Sequence, residues 1–213
     1  ARGDMSVSAE VLTAHYREGT DGKIEVYRIE ADGNVRLASS DSVVSGDRAV
    51  YDLDKAVLVV TGDDLRAETP KALITADKSL EYWDAERVVV ARGGATATEG
   101  NRRVEADVLT GYLRKTGRAE LYQVEAEGNV VLTTPEEVVR AAKVVYNLDK
   151  EFATLSGGVK ITRGQNQLNG DRAEVNLKTG VSRLLGGPSA TGGSDGRVHT
   201  LIVPDRKPEI GVQ

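Results

Sequence analysis

The chain has 213 residues, 39% of them apolar and 29% charged, with a net charge of −5. That composition is globular and not disordered, and the absence of cysteine excludes disulfides, thiolate metal sites and cysteine nucleophiles. Lys and Arg number 28 against 33 Asp and Glu with no basic block, which argues against nucleic acid as a partner, and His15 and His199 show no H-x-x-H spacing for a metal.

Nine residues are aromatic, whereas 28 are valine, a balance that predicts β-sheet around a lightly filled interior. No run of 18 apolar residues exists to span a membrane as a helix. In chain order, the first elements are the alternating runs after Ala9-Glu10 and around Tyr27-Arg-Ile-Glu-Ala-Asp-Gly-Asn-Val-Arg-Leu37. Ala49-Val-Tyr-Asp-Leu53 then enters a turn, Asp52-Leu-Asp-Lys55, and returns through Val57-Leu-Val-Val-Thr-Gly62. Period-2 alternation bounded by Asp, Lys and Gly is the signature of a hairpin. Helical periodicity is weak everywhere. The best candidate, Thr134–Ala142, aligns with Ser40–Asp47, which is no helix former, so it reads as strand or loop. Gly186–Gly196 reads as a flexible loop, Arg197–Val203 as a last strand ended by Pro204, and residues 205–213 as a tail.

These elements repeat. Tyr27–Leu37 recurs as Tyr122-Gln-Val-Glu-Ala-Glu-Gly-Asn-Val-Val-Leu132, and Val50–Lys55 recurs as Val145-Tyr-Asn-Leu-Asp-Lys150, both at an offset of 95. Ala9–Ala14 recurs as Ala106–Gly111 at an offset of 97. The copies run from about 1 to 97 and from 98 to 187, and one continuous unit over 1–204 is expected. Within them a shorter unit opens with a small residue, usually followed by an acidic one: Ala9-Glu10, Gly46-Asp47, Ala76-Asp77, Ala106-Asp107, Ala141-Ala142 and Gly170-Asp171. Each unit is too short to bury a face alone, so neighbours must stack into one core. The chain begins inside a copy, because Ala1–Val7 aligns with Thr98–Val104. The repeat therefore predicts a further strand pair upstream in the natural gene product.

Bland readings account for several features. Gly33, Gly62, Gly128 and Gly157 close strands and read as turn or bulge positions, not as a phosphate loop. Asp52/Asp54 and Asp63-Asp64 read as solvated turns, since the second copy has Asn147/Asp149 and Gly158-Val159 there. Arg2-Gly3-Asp4 falls at a turn of the repeat, His15 aligns with Tyr112 as an ordinary strand residue, and Trp83 reads as a rim residue.

The ordered set of A-D openings, the A-x-G-N-V-x-L strand, the Y-[DN]-L-D-K hairpin and the L-[ST]-G stop resembles the LptA/OstA-like family of lipopolysaccharide transport. Arg197-Val-His-Thr-Leu-Ile-Val-Pro204 is similar to the closing strand of that family, and residues from about 72 to 204 resemble one ordinary family-length chain. The resemblance implies an all-β fold with few or no helices, an open, twisted β-jelly roll built of stacked hairpins. It implies a non-enzymatic, periplasmic protein without cofactor or metal, which binds the acyl chains of lipid A in an apolar groove. It further implies a bridge from inner to outer membrane, with LptC-like and LptD-like partners and further copies joined head to tail by edge-strand pairing. On that reading the groove residues are Tyr27, Ile29, Val35, Leu37, Ala49, Tyr51, Leu58, Val60, Tyr82, Val89, Tyr122, Val124, Val130, Leu132, Tyr146 and Leu155, and the partner-strand edge is Leu201 and Val203. The tyrosines equally suit core positions with satisfied hydroxyls. The alternatives are an LptC-like inner-membrane partner of the same bridge and a carbohydrate-acting or adhesive β-solenoid.

Overall fold

The computed structural model describes residues 6–19, 22–115, 120–176, 178–179, 181–186 and 198–201. Among these there is no helix, and sixteen strands form one antiparallel sheet. They are β1 (Ser6–Ser8), β2 (Val11–Glu18), β3 (Ile24–Ala38), β4 (Val43–Asp52), β5 (Val57–Thr61), β6 (Leu65–Glu68), β7 (Leu73–Ala76) and β8 (Ser79–Trp83). There follow β9 (Val88–Glu99), β10 (Arg102–Leu113), β11 (Leu121–Thr133), β12 (Val138–Asn147), β13 (Phe152–Arg163), β14 (Asn166–Asn176), β15 (Val181–Leu185) and β16 (His199–Leu201). Thr134–Glu137 is a turn, and the strand expected after it is β12.

Each long strand is bent. β3 pairs with β2 through its first half and with β1 through its second. β4 likewise pairs with β6 and then β5, β9 with β8 and then β7, and β14 with β16 and then β15. The short strands are therefore the two limbs of interrupted bent strands, and the sheet reads as twelve V-shaped strands in sequence order. One set of limbs, from β2 through β15, forms a long arm. The other, from β1 through β16, forms a short arm. The main core lies between the two, since it joins Ala31, Ala49, Val60 and Leu80 of the long arm to Val35, Leu37, Leu65 and Ala76 of the short arm.

The bend is written in the sequence. Register shifts fall at Gly33-Asn34, Gly93-Gly94, Gly128-Asn129 and Gly157-Gly158, where one strand carries an extra residue. Gly128 sits at φ 77°, and a Cβ there would lie 2.2 Å from the Asp107 carboxylate. Gly33 and Asn34 (φ 79° and 48°) match Gly128 and Asn129 (φ 77° and 49°) at the repeat offset of 95.

The small–acidic openings lie opposite these bulges. Inside the corner, the small residue faces a large one, as in Val35 beside Gly46, Leu65 beside Ala76, Val130 beside Ala141 and Val159 beside Gly170. Outside, the acidic residue caps the bulge. Glu10 accepts from Asn34 Nδ2 at 2.5 Å, Asp47 accepts from the Asp63 amide at 2.9 Å, and Asp107 accepts from Asn129 Nδ2 at 3.0 Å.

Hairpin turns close the long arm. Asp52 Oδ1 accepts from the Lys55 amide at 3.0 Å, Asn147 Oδ1 from the Lys150 amide at 2.9 Å, and Asn176 Oδ1 from the Thr179 amide at 2.9 Å. These are Asx turns, which the Y-[DN]-L-D-K motif encodes.

Candidate lipid-binding groove

Two rows of inward side chains face each other across the core. In the long arm, paired residues run Leu12, Ala31, Ala49, Val60, Leu80, Ala91, Leu109, Ala126, Val144, Leu155, Ala173 and Leu184 from strand to strand. In the short arm they run Val7, Leu37, Val44, Ala67, Ile74, Ala97, Val104, Leu132, Val139, Ile161, Leu168 and Thr200. One step toward the open end of the long arm lies a mouth row, which includes Ile29, Tyr51, Leu58, Tyr82, Val89, Val124 and Tyr146. None of these three rows contains a charged residue. Twelve strands spaced about 4.8 Å apart make the seam roughly 50 Å long.

Exposure grades from corner to mouth. Ala95 and Val159 at the corner are fully buried. Val60, Ala31 and Ala173 of the floor are 1–2% exposed. Ile29 and Val89 of the mouth are 38% and 36% exposed. The floor is therefore filled by the protein's own side chains, and accessible apolar surface lies at the mouth. Tyr82 spans both, with its ring in the mouth row and its hydroxyl donating to Asp84 at 2.8 Å and accepting from Arg87 at 2.9 Å. Burial, and then Asp84, raise its pKa.

Most sequence-derived groove residues fall on this inner face: Ile29, Val35, Leu37, Ala49, Tyr51, Leu58, Val60, Tyr82, Val89, Val124, Val130, Leu132, Tyr146 and Leu155. Tyr27 and Tyr122 do not. A register shift makes Tyr27 an extra residue opposite His15 and Tyr16, and its ring turns outward beside His15 (6.0 Å) and under the Arg17 guanidinium (5.5 Å). Tyr122 is displaced in the same way and stands beside Tyr112 at 6.3 Å. Trp83 also faces outward and donates to Glu81 at 3.0 Å. Leu201 pairs opposite Gln167 and is exposed. Val203 and Arg2-Gly3-Asp4 lie outside the described residues. The sequence reading missed Leu80, Ala91, Leu109, Ala126 and Ala173. Their signal was their register with Ala49 and Leu155.

Among the described residues, the charged pairs lie on the outer face. In the long arm, Glu30 receives Arg28 at 2.7 Å, Arg48, and His15 at 3.2 Å. Burial raises the Glu30 pKa, but Arg28 and Arg48 outweigh it and the net shift is downward. Glu81 behaves alike: burial pushes it up, and hydrogen bonds from Arg92, Trp83 and Ser79 bring it below its ordinary value. Arg17 grips Asp54 with two bonds of 2.6 and 2.7 Å, and in the second copy Arg114 holds Asp149 at 2.5 Å. The short arm differs. It carries Arg36, Arg66, Arg102, Arg103, Arg140, Lys160 and Arg163 against Glu68, Glu99 and Glu105.

The fold is similar to that of LptH from Pseudomonas aeruginosa, described as the LptA homologous periplasmic component of a conserved lipopolysaccharide transport device. The identity is 18% over 62% of this chain and 95% of that one, with a TM-score of 0.52. No curated protein matches the chain. Residues 73–181, just over half of the sequence, match the model of the family described as LptA/(LptD N-terminal domain) LPS transport protein. The bent, bulged, all-β stack agrees with that match, and the chain belongs to the LptA/LptD N-terminal lipopolysaccharide transport family.

Proposed function

We propose that the protein is a non-enzymatic carrier that holds the acyl chains of lipid A against the mouth of the inter-arm seam, as one segment of a periplasmic bridge between the two membranes. The observation that carries this is the set of three uncharged rows running unbroken across the stack. Each acyl methylene moved out of water contributes about 0.8 kcal/mol, so such a surface can hold lipid without gripping its phosphates. On this reading Tyr51, Leu58, Tyr82, Val124 and Tyr146 touch the lipid, while Val60, Leu155 and Ala173 behind them keep the arms together. Residues 1–204 act as one continuous unit, and its terminal strands, with Leu201 at one edge, pair with LptC-like and LptD-like proteins or a further copy by β-augmentation.

A carbohydrate-acting solenoid needs a cluster of carboxylates on one face. Here Glu10, Asp47 and Asp107 are spent on capping bulges. Native mass spectrometry of protein purified from a lipopolysaccharide-producing host tests the carrier reading. Co-purified lipid A is the expected result, and lipid-free protein that also fails to take up added lipid A rejects it.

A further inference from the structure

Five of the six corner openings carry an acidic residue, Glu10, Asp47, Asp77, Asp107 and Asp171, and the first four place it against the bulge of the next strand. The sixth, between β12 and β13, has Ala142 instead, and Ala142 is exposed. Opposite it lies the Gly157-Gly158 bulge, where a Cβ on Gly158 would meet open space. Next along the same outer face, Arg140 and Lys160 are paired directly across the two strands. Both are exposed, and neither has a hydrogen bond or ion pair among the described residues. Like charges directly opposite in a sheet are destabilising. On the long arm, by contrast, Arg48 is matched by Glu30, Arg92 by Glu81, and Lys143 by Glu125 and Glu127.

We propose that this corner binds a carboxylate supplied from outside the chain, the side chain of an aspartate or glutamate in an acidic peptide segment, at the place where the other corners hold their own. Two cations lie side by side on the short-arm side of the vacated position, and that arm carries a surplus of positive charge on a chain whose net charge is −5. A carboxylate there satisfies both cations, as Glu30 satisfies Arg28 and Arg48 on the long arm. The site lies on the outer face, separate from the seam, so it is a contact for a protein partner and not for acyl chains.

The test is fluorescence anisotropy of a labelled hexaglutamate peptide with the full chain at low ionic strength. The wild type is expected to bind, with Ala142→Asp and Lys160→Gln each weakening binding about tenfold. Arg103→Gln, which removes a matched cation from the same arm, is expected to leave binding unchanged. Ala142→Asp is also expected to raise the thermal midpoint, by restoring the missing cap, which confirms that it folds. No binding by the wild type, equal binding by Ala142→Asp, or competition by inorganic phosphate but not by unlabelled peptide overturns the proposal.

Discussion

At the scale of single residues, the inner face depends on size more than on polarity. Leu65 is 2% exposed, wedged at the corner beside Ala76 and against the space over Gly46. Leu65→Ala is expected to cost about 2–5 kcal/mol, because the corner cannot collapse without shifting both arms; urea unfolding measures it. On the outer face, Glu81 carries a lowered pKa. The stabilisation from such a group is complete above its unfolded pKa, near 4.3, and is lost as pH falls through the lower folded value. Thermal unfolding between pH 6 and pH 3 should therefore show a steeper acid loss in the wild type than in Glu81→Gln, and parallel curves would contradict the role given to Arg92, Trp83 and Ser79. Residue-level reading from sequence failed at Tyr27 and Tyr122 for a local reason. Counting by twos assumes an unbroken pleat, and the extra residue opposite β2 and β10 turns each ring to the outside.

At the scale of elements, hairpins and corners were legible because their chemistry is short-range. The Y-[DN]-L-D-K motif encodes an Asx turn, seen with the same bond at Asp52 and Asn147. Asn147→Ala is expected to cost about 1 kcal/mol by removing that bond, and Asn147→Asp to cost less, since the first copy uses Asp there; chemical denaturation of both variants checks it. The small–acidic openings mark the start of each short unit in the sequence, and their structural meaning is the bend itself, with the small residue inside and the carboxylate on the bulge outside. What the sequence could not supply was phase through the bulge. Ala106 and Leu109 share the inner face although they are three positions apart, because a register shift lies between. That is why Leu109 escaped the sequence reading while Leu58 and Val60, on an unbroken strand, did not.

At the scale of the whole molecule, the 95-residue repeat becomes a single stack of twelve bent strands, of which the residues matched by the family model, 73–181, form the later part. The stack was legible because every copy repeats the same corner, turn and alternation. The depth of the seam was not, since it depends on how far the arms close over Val60 and Ala95, which no local pattern encodes. The central claim is that lipid lies in the mouth of that seam. Photo-crosslinking amino acids placed at Tyr51 and Leu58, with outward Thr154 as control, test it most directly in cells that make lipopolysaccharide. Capture of lipopolysaccharide at Tyr51 and Leu58 but not at Thr154 is the predicted result. Capture at Thr154 with none at the two mouth positions would contradict it.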